Sequence, residues 1–100
     1  MIKHIVMWKL KDEVNGVPKT QLVLQLKERL EGLVPLIPEI QYLEVGLNFK
    51  ESPAAKDVAL YTKFNSMDDL QTYQDHPDHQ EVAAFLKDIV EERAVVDYQE

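Results

Sequence analysis

The run from Tyr73 to His79 holds the side chains of this chain that are best suited to proton transfer, a phenol and two of the three histidines. An imidazole with an ordinary pKa of ~6.5 takes up and returns a proton at neutral pH. A phenol can hold a carbonyl oxygen while negative charge develops on it. These residue types suit abstraction of an acidic proton next to a carbonyl, with His79 as the base and Tyr73 as the carbonyl donor. Such chemistry needs no cofactor, and we expect none.

Pro77 determines how this corner is built, because proline breaks a helix interior but suits a first helical turn. One helix is expected to end near Asp75 and another to begin at Pro77, which places His79 in the first turn of the second. His76 would end the first helix and contact its last carbonyls. A purely structural role stays open for two of these residues. His79 could hydrogen-bond a backbone carbonyl, and Tyr73 could be a half-buried aromatic residue with a satisfied hydroxyl.

A metal site at this corner is a further interpretation, since His76 and His79 lie next to Asp75 and Asp78. Two histidines and a carboxylate can bind a divalent ion. Pro77 places the two histidines on different helices, however, so the shared face of a regular helix is lost. We therefore expect no metal.

Composition bounds the class of protein. The chain has 100 residues, 45% of them hydrophobic, which predicts one globular domain over residues 1–100. It has no cysteine, hence no disulfide or thiolate chemistry. A net charge of −7 with scattered basic residues argues against nucleic-acid binding. No signal peptide or membrane-spanning run is visible, so we expect a cytoplasmic protein that does not bind membranes.

Periodicity predicts four strands and three helices. Apolar residues recur at helical spacing in the Leu22, Leu26, Leu30 and Leu33 stripe, and Ser66 is a good N-cap for the helix that carries Tyr73. The strands are expected at 2–10, 40–49, 57–64 and 94–98, and the helices at 18–33, from Ser66 to 75 and from 77 to about 90.

This order is β-α-β-β-α-α-β, which predicts an α+β protein of the ferredoxin-like type, with a four-stranded antiparallel sheet covered by helices on one face. We expect His4, Val6 and Trp8 to lie on the other, open face. That face is too apolar for water, so a second copy should cover it in a homodimer, with a cavity inside each half. His4 could then bind a ligand or orient His79, or could be a satisfied core histidine.

The Tyr73-x-x-His76-Pro77-x-His79 corner, together with the opening Ile2-Lys3-His4 and the closing Val95 to Tyr98, resembles the stress responsive A/B barrel (Dabb) family. The resemblance covers nearly the whole chain and implies a ferredoxin-like protomer and a dimeric α+β barrel. One plant member closes a polyketide ring by aldol condensation, with the residues that match His79 and Tyr73 as base and carbonyl donor. Other members are stress proteins without known catalysis.

The match to the plant cyclase is partial. Two adjacent phenylalanines of its first helix have no counterpart here, and a pocket histidine of its third strand is replaced by the stretch Asp57-Val58-Ala59. Two hypotheses follow. The first is a Dabb homodimer whose pocket, with His4, Val6, Trp8 and His76 among its ligand contacts, binds a small hydrophobic or carbonyl-containing ligand or serves in stress response. The second is a cofactor-independent cyclase, isomerase or lyase.

Overall fold

The computed structural model describes the whole chain, from Met1 to Glu100. Its elements follow the predicted order, with one short extra hairpin between the first strand and the first helix. They are β1 (Ile2–Leu10), β2 (Glu13–Val14), β3 (Val17–Pro18), α1 (Lys19–Glu31), β4 (Tyr42–Leu47), β5 (Val58–Phe64), α2 (Met67–Asp75), α3 (Pro77–Ile89) and β6 (Val90–Gln99).

The sheet is antiparallel throughout, with the strand order β4-β5-β1-β6. The two central strands, β5 and β1, are separated in sequence by α1 and β4, which is the split arrangement of a ferredoxin-like fold. The predicted α+β fold class is therefore confirmed. The extra β2–β3 hairpin turns at Asn15 and Gly16, which both adopt positive φ, of 51° and 83°. Glycine adopts this conformation without steric cost.

The last strand is longer than predicted. β6 begins at Val90, directly after Ile89, and not at Ala94. Val90 was expected in the apolar stripe of the preceding helix, but its backbone is extended, with φ −83° and ψ 139°. The physical reason is that β1 runs to Leu10, and its backbone groups pair with the residues from Val90 onward.

The prediction for the two faces of β1 is wrong. His4, Val6 and Trp8 are only 3%, 1% and 4% exposed, and they point toward the helices. The open face carries the alternate residues, Met7 among them at 40% exposed. The helices cover the face with the larger apolar side chains, since burying that face removes the most apolar surface from water.

The open face still carries apolar side chains. Strand register places Ile5 beside Val96 and Met7 beside Ala94 on this face. Val96 is 50% exposed, so part of this surface is in contact with water in the single chain. The single chain therefore leaves apolar side chains of this face partly unburied.

The helix-covered face forms the core. The predicted leucine stripe of α1 is buried: Leu22, Leu26, Leu30 and Leu33 are all at most 2% exposed. Ser66 caps α2 as predicted, because its Oγ accepts a hydrogen bond from the backbone N–H of Asp69. None of the helices has the length and apolar character needed to span a bilayer.

Candidate functional site

A cavity of about 220 Å³ lies between the sheet and the helices. Its walls are mostly apolar, and Val6 and Trp8 of β1 form part of them. Roughly 300–1,000 Å³ is usual for sites of drug-sized ligands, so this volume fits a small compound. The polar or titratable side chains that line it are His4, Tyr73, Gln74, His79, Lys87 and Arg93.

The corner between α2 and α3 places two of these side chains. Pro77 is the first residue of α3, as predicted, and His79 lies in the first turn. His76 ends α2 and begins α3. The predicted contact of its side chain with the last carbonyls of α2 is absent. Instead, its Nδ1 accepts a hydrogen bond of 3.1 Å from the backbone N–H of Asp78. This satisfies a free N–H of the first turn, so His76 acts as an N-cap.

His76 does not line the cavity. The site therefore brings together His4, Val6, Trp8, Tyr73 and His79 of the predicted residues, and leaves His76 outside.

Tyr73 and His79 are in contact. Their ring centroids are 4.5 Å apart at an interplanar angle of 60°. Tyr73 is 0% exposed and packs on Phe64, with ring centroids 4.9 Å apart. The Oη of Tyr73 and the Nδ1 of His79 are both buried and form no hydrogen bond within the protein. Buried polar atoms are nearly always paired, so these two have capacity left for a ligand.

Burial sets the protonation state of both groups. It raises the pKa of Tyr73, so the phenol keeps its proton and can donate a hydrogen bond. Burial also lowers the pKa of His79; the backbone carbonyl of Gln74 opposes this, and electrostatic interactions with His4, Arg93 and His76 add to it. At neutral pH His79 is therefore a neutral imidazole that can accept a proton.

His4 is the third titratable ring at the site. Its ring centroid lies 6.4 Å from that of Tyr73. Its Nδ1 donates a hydrogen bond to the carboxylate of Asp97 in β6, and its backbone carbonyl accepts one of 2.8 Å from the Oγ1 of Thr62. This contact favours the tautomer in which Nδ1 carries the proton and Nε2 is the acceptor nitrogen.

Sequence reasoning missed Asp97, Arg93 and Lys87. Asp97 lies in the predicted last strand, and a two-residue alternation would have placed it on one face with Val95. Its contact with His4 follows from the pairing of these two residues across β1 and β6, which no local pattern gives. Arg93 lies before the predicted start of that strand, so the alternation pattern did not assign it to either face of the sheet. It pairs with Trp8 and lies on the cavity side of the sheet.

No group of three or more histidine, aspartate or glutamate side chains is arranged to hold a metal ion. His76 and His79, the pair considered for such a site, have separate roles: one caps α3 and the other lines the cavity.

The sequence matches one known protein family over nearly its whole length. The model of the family described as "Stress responsive A/B Barrel Domain" (Dabb) matches residues 2–100. Among curated proteins, none matches this sequence.

Solved structures give further matches. A dimeric protein of unknown function with a ferredoxin-like fold from Bacteroides fragilis NCTC 9343 is 38% identical, with a TM-score of 0.86 over 99% of this chain and 95% of the other. A dimeric ferredoxin-like protein of unknown function from Thermobifida fusca YX is 26% identical, with a TM-score of 0.85 over 99% and 90%. The hydroxynitrile lyase from Passiflora edulis is 20% identical, with a TM-score of 0.81 over 97% and 90%. This last similarity establishes the fold alone.

Proposed function

The chain belongs to the stress responsive A/B barrel (Dabb) family, and from that premise we propose that its cavity binds a small carbonyl compound on which His79 and Tyr73 move a proton. The observation that carries this proposal is the pair of buried, unpartnered polar atoms, Oη of Tyr73 and Nδ1 of His79, on rings 4.5 Å apart in one apolar cavity. A buried polar atom without a partner is costly, and a bound carbonyl compound would relieve that cost.

In the proposed reaction the neutral His79 imidazole takes a proton from the carbon next to the ligand carbonyl. The electron pair of the broken C–H bond moves into the carbonyl, whose oxygen becomes an enolate oxygen. The Tyr73 hydroxyl donates a hydrogen bond to that oxygen and stabilises the charge as it forms. The resulting imidazolium returns the proton to a carbon, or the enolate attacks a second carbonyl of the ligand and the imidazolium protonates the alkoxide that forms. Return to the same carbon is proton exchange, return to another carbon is an isomerisation, and the attack on the second carbonyl is a cyclisation.

His4 acts as a pocket group in this proposal. The hydrogen bond from its Nδ1 to the Asp97 carboxylate holds the ring in one tautomer beside Tyr73. Its Nε2 accepts a hydrogen bond from a ligand hydroxyl in this proposal. His4 thus helps to orient the ligand and does not replace His79 as the base.

We also propose that the working unit is a homodimer. The solved neighbours from Bacteroides fragilis and Thermobifida fusca are described as dimeric. The open face of this chain supports the same arrangement, because Ile5, Met7 and Val96 form a partly exposed apolar surface across β1 and β6. Sheet-to-sheet packing of two copies would remove that surface from water.

The experiment measures exchange of the methyl protons of acetophenone for deuterium in D₂O, followed by NMR. Acetophenone is a small neutral ketone that suits an apolar cavity, and its methyl protons exchange only slowly at neutral pH without a catalyst. We expect the protein to catalyse the exchange. His79→Gln should lower the catalysed rate by about a hundredfold, since a positioned general base contributes roughly 10²–10⁴-fold.

The matched control is His76→Asn, which removes a histidine outside the cavity and keeps an N-cap acceptor for α3. It should exchange at the wild-type rate. Equal rates in wild type and His79→Gln would overturn the assignment of His79. Binding of acetophenone without any catalysed exchange would leave a ligand-binding protein in place of an enzyme.

A further inference from the structure

The charge of the cavity is opposite to that of the chain. The protein carries 18 acidic and 11 basic residues, for a net charge of −7. Yet no aspartate or glutamate lines the cavity, whereas Lys87 of α3 and Arg93 of β6 both do. A cavity lined by charges of one sign concentrates ligands of the other sign.

These two cations are also free. Neither Lys87 nor Arg93 forms an ion pair or a side-chain hydrogen bond. Most other basic side chains do have a partner. Lys9 is paired with Glu91 and Lys56 with Glu92, on residues that neighbour Arg93 in β6. The two acidic side chains nearest to Arg93 in the sequence are therefore paired with Lys9 of β1 and with Lys56 of the loop before β5, and Arg93 keeps its five donors available.

The backbone fixes where Arg93 starts from. Its Cα is paired with that of Trp8, a cavity wall residue, and antiparallel partners project from the same face of a sheet. Arg93 therefore lines the cavity from a position on a strand, and not from a loop. Its positive charge is close enough to His79 to contribute to the lowered pKa of that imidazole.

We propose that the ligand of this cavity is a carbonyl compound that also carries a carboxylate, and that Arg93 binds the carboxylate while Tyr73 and His79 face the carbonyl end; the carbonyl half of this statement rests on the proposed function. A guanidinium matches a carboxylate with two parallel hydrogen bonds, which a lysine cannot do. Lys87 adds a second positive charge at the same wall. Arg93 is thereby a residue that selects the substrate class, and it takes no part in the proton transfer.

The test compares two matched pairs of probes, 3- and 4-acetylbenzoate and the methyl ester of each. They share a ketone and a ring and differ in the negative charge. Dissociation constants are measured by NMR titration for the wild type, Arg93→Gln and the control Lys27→Gln, which removes an equal charge on the exposed side of α1, where Lys27 pairs with Glu31. The strand position of Arg93 is exposed, so the variant should fold.

We expect at least one acetylbenzoate to bind the wild type about tenfold more tightly than its ester. Arg93→Gln should remove that preference, and Lys27→Gln should retain it. The preference should shrink as salt is raised from about 0.05 to 0.5 M. A second readout is the pKa of His79 from its ring proton shift. Bound acetylbenzoate should raise it in the wild type, by offsetting the charge of Arg93, and should raise it less in Arg93→Gln.

The proposal is overturned if neither acid binds more tightly than its ester, or if Arg93→Gln keeps the full preference. These outcomes do not depend on catalysis, because they are read from binding. The proposed function fails separately, if His79→Gln leaves deuterium exchange unchanged. A selective binding of the acids with no exchange would thus support the carboxylate site and reject the proton transfer.

Discussion

The imidazole of His4 and the carboxylate of Asp97 form a hydrogen-bonded pair across neighbouring strands, although 93 positions separate them in the sequence. His4 is 3% exposed, whereas the Asp97 side chain is 40% exposed. The carboxylate therefore contacts water on one side and a buried ring on the other. Through His4 it reaches the wall of the cavity that Tyr73 and His79 share.

Replacing Asp97 by Asn tests this pair. The amide keeps the shape of the carboxylate but can present its NH₂ to Nδ1, which favours the other tautomer of His4. We expect deuterium exchange of acetophenone to fall by roughly tenfold, a part of the 10²–10⁴ that a positioned acid–base group contributes. The fold should remain, as judged by circular dichroism. An exchange rate equal to that of the wild type would show that His4 needs no fixed tautomer.

Removal of the Tyr73 hydroxyl should raise the stability of the protein and lower its activity. Its Oη is buried without a partner, so Tyr73→Phe deletes an unsatisfied polar atom and retains the contact with Phe64. We expect the free energy of unfolding to rise by up to about 1 kcal/mol, while catalysed exchange falls by at least tenfold. Urea denaturation and NMR exchange measure the two effects. Tyr98→Phe, at a side chain 43% exposed, is the control and should change neither. A loss of stability in Tyr73→Phe would mean that the hydroxyl has a partner in the folded protein.

The pH dependence of activity follows from the lowered pKa of His79. The imidazole stays unprotonated to a lower pH than an ordinary histidine, so catalysed exchange should hold from neutral pH down to below ~6.5 and then fall. The groups that act on His79 are His4 on β1, Arg93 on β6, His76 at the helix junction and the carbonyl of Gln74. An inflection above ~6.5 in the pH–rate profile would contradict the burial of this ring.

The free energy of unfolding, like the exchange rate, should fall as the pH is lowered. Because the pKa of His79 is lower in the folded protein, the unfolded chain binds more protons as the pH falls below ~6.5. The contribution of His79 is therefore complete above that value and is lost as the pH falls through its folded pKa. In urea denaturation from pH 7.5 to 5, the wild type should lose more stability than His79→Gln. Parallel curves for the two proteins would rule out this contribution.

The open face of the sheet should hold the dimer together. Val96 is 50% exposed in the single chain and lies beside Ile5 on this face. Val96→Glu would place a charge on each side of a two-fold interface, and like charges brought together cost several kcal/mol. We expect sedimentation to show a dimer for the wild type and a monomer for this variant at about 10 μM. Leu24→Glu, at an α1 residue 57% exposed, is the matched control and should stay dimeric. A monomeric wild type would remove the homodimer.

The sequence by itself determined the elements and much of their order. Alternating apolar residues, the leucine stripe of α1, the Ser66 cap and Pro77 are local signals, because each depends on neighbours a few positions away. They were sufficient for the ferredoxin-like fold. They also placed Tyr73 and His79 on either side of one helix junction, so that their contact followed from the short distance between them in the chain.

The tertiary structure decided which face of β1 the helices cover and which strand residues join the site. Both faces of β1 carry apolar residues, so alternation alone could not assign His4, Val6 and Trp8, and the assignment from sequence was wrong. Asp97 and Arg93 reach the site through the register of β6 on β1, a contact between the two ends of the chain. Register depends on packing and pairing over the entire sheet, and for that reason the partner of His4 and the charge of the cavity became visible only in the folded protein.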